Sequence, residues 1–454
     1  MSNADLDKTA RTILIENDQG GYTVPTKGLY PYQWNWDSVF VALGFATFDQ
    51  DRAWREIEML FEGQWRDGMV PHILFRKDDP SYFPGPKVWG TDGGPIPSSG
   101  HSQPPVAATV IRDLVDSDTS GRALARAGAL FPQLMNWHRW YLAYRDPDKL
   151  GVLAIIHPWE SGRDNLPDWD DALRAVQVRD IEPYERKDTS HVDPAMRPHK
   201  EDYDRYLSIM AACRSVGWDP AEVARTCPFF VADPGVTFIF LRASRDLLAI
   251  AEELGKDAEA DEIRGWIAHM EKGAKTLWDD DLKAHVALDR RSGKHTDGIS
   301  SMSFLAPYAG LADSATLSAL QGHFDRIAAK VRYTMPSYDP DHPSFEPLRY
   351  WRGPVWAMVN YMIARGFAEA GDSIRAEKLR SDTAQLVETS GFAEAGDTIR
   401  AEKLRSDTAR LVETSGFAEY FSPETAAGAG GGTFSWTAAI WLTWESPSHV
   451  KQAA

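Results

Sequence analysis

The chain alternates between amphipathic stretches with helical periodicity and irregular segments rich in Gly and Pro. Trp54, Ile57, Leu60 and Phe61 in residues 51–65 have the spacing that places apolar side chains on one face of a helix. The same periodicity recurs in residues 103–118, 122–146, 238–257, 258–280, 302–313, 316–331 and 353–372. Strand signals are short, as in HILF (72–75) and VLAII (152–156). The pattern therefore predicts a mostly helical protein.

The helical stretches are joined by loops of uneven length, and no Pro/Ser/Gly linker divides the chain. A solenoid would need a repeat period throughout, which the sequence does not have. We therefore expect one all-α domain over residues 1–454, an (α/α)6 barrel built from a closed ring of about a dozen paired helices. In such a ring the long loops gather at one mouth, where ligands bind.

A tandem repeat interrupts the C-terminal part of the chain. Residues 366–390 recur as residues 391–415 with only Ser373/Thr398 and Gln385/Arg410 different, and a third GFAE begins at Gly416. Each copy predicts an amphipathic helix; the faces are Ala376, Leu379, Thr383 and Leu386 in the first copy and Ala401, Leu404, Thr408 and Leu411 in the second. We expect the second copy to fill the barrel position, since it is contiguous with GFAEYF, and the first to bulge outward or to extend the preceding helix on the surface.

Composition narrows the class of protein. The 454 residues are 43% hydrophobic and 25% charged, which is ordinary for a globular protein. A net charge of −17 argues against nucleic-acid binding, and no segment approaches the ~20 apolar residues of a membrane span. The N-terminus lacks a basic region followed by an apolar run, which predicts a cytoplasmic protein. A homo-oligomer is left open.

The sequence shows no recognisable metal site. Cys213 and Cys227 make neither a disulfide framework nor a zinc set. No metal-binding spacing connects His157, His191 and His199. We therefore interpret these three histidines as structural or loop residues. The acidic runs at 279–281 and 339–341 are typical of solvated turns.

Aromatic residues are abundant, with 17 Trp, 15 Tyr and 19 Phe. Core packing accounts for most of them, but five loop segments combine Trp or Tyr with carboxylates, amides or Arg: 28–40, 87–105, 157–173, 346–361 and 417–439. Sugars present flat C–H faces that stack on aromatic rings and hydroxyl groups that bond to carboxylates and amides. The five segments together therefore favour a pocket for a polar ligand such as a sugar.

Glycoside hydrolysis needs two carboxyl groups, one protonated and one ionised. The first set of candidates lies in WESGRDNLPDWDD: Glu160, Asp164, Asp168, Asp170 and Asp171. Neighbouring aromatic and Pro residues could desolvate one of them and raise its pKa; the alternative is that they cap the following helix. The second set is the three GFAE glutamates, Glu369, Glu394 and Glu419.

The residues that flank the three glutamates in the sequence distinguish them from one another. Glu369 lies near the end of a long helical stretch and is expected on the surface, and Glu394 has the same downstream sequence. Glu419 alone is followed by Tyr-Phe-Ser-Pro and a Gly/Ala-rich loop, which suits a base that holds a water in a covered pocket. Local chemistry therefore favours Glu419.

Several motifs, in order, carry a resemblance: YPYQWNWDS, SGHSQPP, ESGRDN, YWRGPVW, and GFAEYFSP followed by FSWTAA. From about residue 20 to 445 the chain resembles family 63 of the glycoside hydrolases, within it the mannosylglycerate and glucosylglycerate hydrolases. The resemblance implies an (α/α)6 barrel and inverting hydrolysis of an α-linked hexosyl glycerate to free sugar and D-glycerate. It also implies that no metal or organic cofactor takes part.

By this resemblance, Asp164 of ESGRD is the general acid, Glu419 of GFAEYF is the general base, and Asp37 of WNWD grips the sugar and supports catalysis. The positions that match the sugar pocket are Tyr30, Trp34, Trp36, Gln103, Tyr350, Trp351 and Trp356. Those suggested for the glycerate carboxylate are Arg197, Tyr203 and Tyr82, and an arginine fork suits a carboxylate. The structural alternatives are that Trp356 is a core residue, that Arg197 pairs with Glu201 and Asp202, and that Asp37 is a helix N-cap.

Two other functions stay open. One is a trehalase-like or glucosidase-like hydrolase of neutral sugars, for which Arg197 would have no carboxylate to bind. The other is a non-catalytic sugar-binding or helical scaffold protein. The tandem repeat departs from a family that needs one copy before GFAEYF, and the sequence does not separate glucosyl from mannosyl preference.

Overall fold

The computed structural model describes residues 3–188, 192–396 and 416–444, with the backbone alone for 391–396. Its helices of ten or more residues are, in chain order, α1 (Asn3–Asn17), α2 (Asn35–Ala46), α3 (Gln50–Phe61), α4 (Ala107–Asp116), α5 (Ala123–Tyr144), α6 (Lys200–Ser215), α7 (Pro234–Glu253), α8 (Asp257–Ala274), α9 (Ser314–Ala328), α10 (Ala357–Glu369), α11 (Ser373–Gly396) and α12 (Ser435–Trp444). Shorter helical turns span Pro86–Trp89, Pro158–Ser161, Pro167–Trp169, Asp170–Arg174, Pro194–Met196, Pro220–Thr226, Lys275–Leu277 and Ser301–Leu305.

The strands are two residues long and lie in the loops between helices. They are β1 (Gln33–Trp34), β2 (Ile73–Leu74), β3 (Ala154–Ile155), β4 (Val231–Ala232), β5 (Trp278–Asp279), β6 (Ala284–His285), β7 (Leu288–Asp289), β8 (Lys294–His295), β9 (Tyr420–Phe421) and β10 (Gly428–Ala429). The antiparallel pairs are β1 with β2, β5 with β6 and β9 with β10, and the remaining strands form one sheet in the order β3-β4-β7-β8. The HILF and VLAII signals correspond to β2 and β3.

Six elements form a closed inner ring. Around the ring α2 packs on α4, α4 on α7, α7 on the turn Ser301–Leu305, that turn on α10, α10 on α12, and α12 on α2 again. The outer helices α1, α3, α5, α8 and α11 each pack against an inner helix. The inner helices are extensively buried, as in α2, where every residue from Asn35 to Phe45 is buried. The all-α (α/α)6 barrel predicted from the sequence is confirmed.

Four of the five aromatic loop segments lead directly into the start of an inner helix. Residues 28–34 precede α2, 87–105 precede α4, 346–356 precede α10 and 417–434 precede α12. The fifth, 157–173, follows β3, which pairs with β4 just before α7. The segments consequently meet at one end of the ring.

The helix predicted over 302–313 is much shorter in the structure, where only Ser301–Leu305 forms a helical turn. Pro307 cannot donate to an α-helical ladder, and Gly310 takes a φ of +80°, which ends the segment. This turn nevertheless occupies one of the six inner positions.

The placement predicted for the tandem repeat was wrong. The first copy, as α11, packs against α10 as its outer partner, with Leu379, Leu386 and Val387 buried. The physical reason is chain continuity: α10 ends at Glu369, and a short turn leads straight into α11, whose start Asp372 caps by accepting from the Arg375 N–H. Residues 397–415, most of the second copy, lie outside the described residues.

Polar contacts also fix the first copy in its position. Asp382 accepts hydrogen bonds from the Thr334 N–H (2.8 Å) and hydroxyl (2.7 Å), and the Asn360 side-chain amide donates to the Thr383 hydroxyl at 2.9 Å. At its end, the Ser390 hydroxyl donates to the Gly416 carbonyl at 2.9 Å. Residues 390 and 416 are therefore neighbours in space, although 25 residues separate them in the chain.

Candidate active site

A pocket opens where the loop segments meet, and it has both aromatic and charged walls. It is lined by Pro25, Tyr30, Trp34, Trp36, Asp37, His72, Tyr82, Phe83, Gln103, Trp159, Gly162, Asp164, Asp188, Arg197, Pro198, Tyr203, Tyr350, Glu419, Phe434 and Trp436. The three carboxylates expected to take part in catalysis, Asp37, Asp164 and Glu419, are among these residues. Residues separated by nearly 400 positions in the chain thus share one cavity.

The backbone of Glu419 is held rigidly at the edge of the β9–β10 hairpin. Its N–H donates to the Ala429 carbonyl at 3.0 Å, and its carbonyl accepts from the Trp436 indole at 3.1 Å. Gly430 faces the side chain with a φ of +81°, and a Cβ there would lie inside the contact distance of Glu419 Oε2. Glycine is therefore required by both the backbone conformation and the close approach.

The Glu419 carboxylate is 1% exposed and is surrounded by donors. Its Oε1 accepts from the hydroxyls of Tyr30 (3.1 Å) and Tyr350 (3.3 Å), and its Oε2 lies 3.7 Å from Arg197 Nη2. Oε2 has no hydrogen-bond partner among the described residues. Burial raises the pKa of Glu419 to about 7, against the lowering effect of Arg197 and Tyr30. One oxygen is thus held by protein donors and the other is left for a ligand.

Asp164 lies in another loop segment, at the wall of the same pocket. The Tyr206 hydroxyl donates to its backbone carbonyl at 2.7 Å, and the next residue, Asn165, accepts from the Trp351 N–H at 2.9 Å. These hydrogen bonds connect residues 164 and 165 to α6 and to the segment that precedes α10. Burial raises the pKa of Asp164 to about 7, while Arg197 lowers it. A carboxyl group with this pKa can be protonated near neutral pH.

Asp37 is the third residue of α2 and points into the pocket. It is not a helix N-cap, because the cap position belongs to Trp34, which makes no side-chain cap bond. Burial, and then the neighbouring Glu419 carboxylate, raise the pKa of Asp37 well above its usual range. A protonated Asp37 could donate a hydrogen bond to a sugar hydroxyl or to the Glu419 carboxylate.

Arg197 is almost completely buried beside Glu419. It donates to the Tyr30 hydroxyl at 2.8 Å, and its guanidinium carbon lies 4.5 Å from the centre of the Tyr350 ring. Glu201 and Asp202, the alternative partners suggested by the sequence, are not its described contacts. The same arginine lowers the pKa of both Glu419 and Asp164, so its charge acts on both carboxyls.

Most of the residues predicted for substrate binding line the pocket: Tyr30, Trp34, Trp36, Tyr82, Gln103, Arg197, Tyr203 and Tyr350. Trp351 and Trp356 lie behind this lining and stack on each other with ring centres 3.7 Å apart. Trp351 packs on Trp36, and Trp356 packs on Tyr350 and Trp436. These two tryptophans support the pocket wall, as the core alternative for Trp356 implied.

Several lining residues were not predicted. Trp159 lies immediately before ESGRD, in the segment WESGRDNLPDWDD, and Trp436 lies within FSWTAA, so these segments contained a signal for them. His72 and Asp188 had no such signal. His72 stacks on His101, and burial lowers its pKa well below the usual range, so it is a neutral wall residue. Asp188 reaches the pocket from an irregular loop.

Three of the other four carboxylates in WESGRDNLPDWDD have arginine partners, and both carboxylate oxygens of the fourth, Asp168, have no hydrogen-bond partner among the described residues. Glu160 is buried and accepts a bidentate contact from Arg145, Asp170 pairs with Arg352, and Asp171 pairs with Arg174. Asp168 is buried, and burial raises its pKa to about 7. None of them caps the helix Asp170–Arg174, whose cap position is Trp169 without a side-chain bond.

The acidic run at 279–281 forms a turn, as predicted, whereas the run at 339–341 is not a simple solvated turn, because Asp339 is buried in an ion pair. Asp279 accepts from the Asp281 and Leu282 N–H groups, and Asp339 and Asp341 pair with Arg326. His157 packs on His101, and His191 lies outside the described residues. Among the described residues no group of His, Cys, Asp and Glu could hold a metal ion, and no helix is long and apolar enough to cross a membrane.

Comparison with known proteins decides the family. The family model described as mannosylglycerate hydrolase MGH1-like glycoside hydrolase domain matches residues 30–399 and 389–437. The chain belongs to this glycoside hydrolase family. The two matched ranges overlap inside the tandem repeat, as expected where a family with one copy is matched to a chain with two. The MGH1-like family is thus matched from the first aromatic segment, at Tyr30, to the last, at Thr437.

Individual members of the family are similar over nearly the whole chain. Mannosylglycerate hydrolase MGH1 of Selaginella moellendorffii is 43% identical over 96% of this chain and 85% of its own length. Glucosylglycerate hydrolase of Mycolicibacterium hassiacum is 32% identical over 96% of both chains. The crystal structure of the GH63 mannosylglycerate hydrolase of Thermus thermophilus with Tris and D-glycerate has a TM-score of 0.89 and 44% identity, covering 97% of this chain and all of the other.

Proposed function

We propose that this protein is an inverting glycoside hydrolase that cleaves an α-linked mannosyl or glucosyl glycerate into the free sugar and D-glycerate. The observation that carries the proposal is the pair Asp164 and Glu419, two carboxyl groups in one aromatic-lined pocket, each with its pKa raised to about 7. The names of the relatives from Selaginella, Mycolicibacterium and Thermus support the substrate class.

The surroundings of the two carboxyls favour different roles. Glu419 has the stronger set of donors for its ionised form, since Arg197, Tyr30 and Tyr350 all lie against it. We therefore assign Glu419 as the general base, whose unpaired Oε2 accepts a proton from the attacking water. Asp164 is the general acid and gives its proton to the glycosidic oxygen as the bond to the anomeric carbon breaks. Water oxygen replaces the glycerate oxygen on the opposite face of that carbon.

Binding of the substrate follows from the rest of the lining. Trp34 and Trp36 offer aromatic surfaces to the sugar, and Asp37 offers a hydrogen bond to its hydroxyls. Arg197, Tyr203 and Tyr82 line the part of the pocket that we assign to the glycerate carboxylate. The cytoplasmic location and any homo-oligomer stay predictions of the sequence.

The experiment is hydrolysis of mannosylglycerate, glucosylglycerate and trehalose side by side, with the anomer of the released sugar followed by NMR. We expect release from one or both glycerates, and the β-anomer as the first product from an α-linked substrate. Release of the α-anomer would refute inversion. Hydrolysis of trehalose alone would favour the neutral-sugar alternative, and no hydrolysis of any of the three would favour a non-catalytic sugar-binding protein.

A further inference from the structure

A buried ion pair connects the loop that carries Asp164 to the inner helix α7. Arg163, the residue before Asp164, donates from its Nη2 to Oδ2 of Asp233. The Asp233 carboxylate also caps α7, because it accepts from the N–H groups of Gly235 (2.8 Å) and Val236 (3.2 Å). Both members of the pair are almost completely inaccessible to solvent. The chain next to the proposed general acid is therefore fixed to the first turn of α7.

The first turn of α7 is shaped to accept the guanidinium of Arg163. A Cβ at Gly235 would lie 2.7 Å from Arg163 Nη2, so a side chain at this position would displace the arginine. Among the described residues, none that belongs to α7 lines the pocket. This inner helix can therefore affect the site only through the residues that contact it, and Arg163 is one of them.

The backbone of Arg163 is held as firmly as its side chain. Its N–H donates to the Ser161 hydroxyl at 2.9 Å, and its carbonyl accepts from the Trp169 indole at 2.7 Å. Its guanidinium carbon lies 5.5 Å from the centre of the Trp169 ring. Because Asp164 is the next residue, these contacts fix the backbone from which its carboxyl group projects.

Stability alone does not explain an ion pair at this place. Burial of two charged side chains costs desolvation energy that their attraction offsets only in part, and apolar residues of similar volume often stabilise a fold as well or better. A bond between charged groups does, however, impose a definite direction and distance on the two chains that it joins. The pair of Arg163 and Asp233 is thus better suited to positioning than to stabilisation.

We propose that Arg163 is a positioning residue for the general acid Asp164, and that it acts through the Asp233 carboxylate at the start of α7. The proton of Asp164 must be delivered to the glycosidic oxygen, and a misplacement of about 1 Å can reduce such a step roughly 100-fold. The inference rests on the proposed function, because it assumes that Asp164 protonates the leaving group.

The test uses two substrates that differ in their need for the acid, a hexosyl glycerate and the corresponding α-hexosyl fluoride, with the full-length protein. The glycerate oxygen needs a proton to depart, whereas fluoride leaves as an anion. Arg163→Met should lower kcat for the glycerate about 100-fold, change KM less than about twofold, and lower kcat for the fluoride less than about tenfold. Asp164→Asn should show the same preference, and Arg163→Lys should recover part of the kcat for the glycerate.

A double variant separates positioning from stability. Arg163→Met leaves the Asp233 carboxylate buried without its cation, so Tm should fall. Adding Asp233→Asn removes that charge and keeps a side chain that caps helices equally well, so Tm should rise again. The kcat for the glycerate should stay low and the difference between the two substrates should persist, because the bond to α7 is still absent. Recovery of kcat together with Tm would overturn the proposal.

The matched control is Arg242→Met, which removes another arginine of a buried pair with an aspartate, Asp246 of α7, away from the pocket lining. It should lower Tm without a preference between the two substrates. Equal losses of kcat for both substrates in Arg163→Met would give Arg163 a structural role only and overturn the proposal. If Asp164→Asn shows the preference and Arg163→Met does not, the proposed function stands without this positioning residue. If Asp164→Asn shows no preference, the assignment of the general acid itself is wrong.

Discussion

Nη2 of Arg197 lies 3.7 Å from Oε2 of Glu419, and both side chains are almost completely buried. A guanidinium so close to a buried carboxylate offsets part of the desolvation that raises its pKa. The same guanidinium lowers the pKa of Asp164 across the pocket. We therefore expect Arg197 to influence the pH range in which one carboxyl is protonated while the other is ionised.

Replacing Arg197 should consequently shift the pH dependence of the reaction. In Arg197→Gln the pKa of both Glu419 and Asp164 should rise, so both the acidic and the alkaline limbs of the kcat profile should move to higher pH, by about one unit or more, or roughly 1.4 kcal/mol. The measurement is kcat between pH 5 and 9. The control is Arg225→Gln, which removes an arginine from the exposed pair with Glu222, away from the pocket lining. Stationary limbs, or a shift to lower pH, would contradict the role given to Arg197.

The three GFAE glutamates provide their own controls. Glu419→Gln should reduce kcat by a factor of about 100 to 10,000, the usual contribution of a general base. Glu369→Gln should stay near wild type, because Glu369 ends α10 as a half-exposed partner of Arg242 and Arg365. Glu394→Gln is the third variant of the series, because Glu394 lies in the same GFAE tetrapeptide as the other two glutamates. Equal losses in Glu369→Gln and Glu419→Gln would remove the assignment of the base.

Alanine variants of Gly430 and Gly431 allow a matched comparison of the space beside Glu419. Both have positive φ, so alanine strains the backbone at either position, at a cost of about 1 kcal/mol or more. Only at Gly430 would the new Cβ collide with the Glu419 carboxylate; at Gly431 the nearest atom is Thr26 Oγ1 at 3.8 Å. We therefore expect similar losses of Tm but a much larger loss of kcat in Gly430→Ala. Equal kcat values would show that the position of Glu419 tolerates the shift.

The barrel and much of the pocket could be predicted because their signals are local. Helical periodicity predicted the paired helices, and composition marked the aromatic loop segments. Within these segments local chemistry favoured Glu419, whereas Trp34 and Asp164 were named only by the family resemblance. The place of Asp188 in the pocket lining could not be predicted, because an irregular loop has no periodicity that fixes where its side chains point. The proximity of Arg197 and Glu419 depends on closure of the whole ring.

The placement of the tandem repeat could not be predicted for a different reason. The two positions at which the copies differ, Ser373 and Gln385 in the first, are exposed on α11. Every buried side chain of the first copy recurs in the second, so no packing argument from the sequence could favour one of them. Our expectation used contiguity with Glu419, whereas the first copy has equal contiguity with α10 and is the one packed there.

Removing one copy should preserve the enzyme. Since Ser390 and Gly416 are hydrogen-bonded, a chain lacking 391–415 can pass from α11 into GFAEYF without rearrangement. Activity and Tm should be equal to or above those of the full chain. A chain lacking 366–390 has the same sequence except at two exposed positions, and it should behave identically. A loss of activity in both would show that the additional copy supports the site.

Substitutions, unlike deletions, can tell the copies apart. Leu379 is completely buried, and truncating such a leucine typically costs about 2–5 kcal/mol. Because the first copy is the one packed on α10, we expect Leu379→Ala to lower Tm as much as the Leu379→Ala/Leu404→Ala double variant does. Leu404→Ala, at the matching position of the second copy, should lower Tm less than Leu379→Ala. Equal losses of Tm in the two single variants would show that either copy can fill the position.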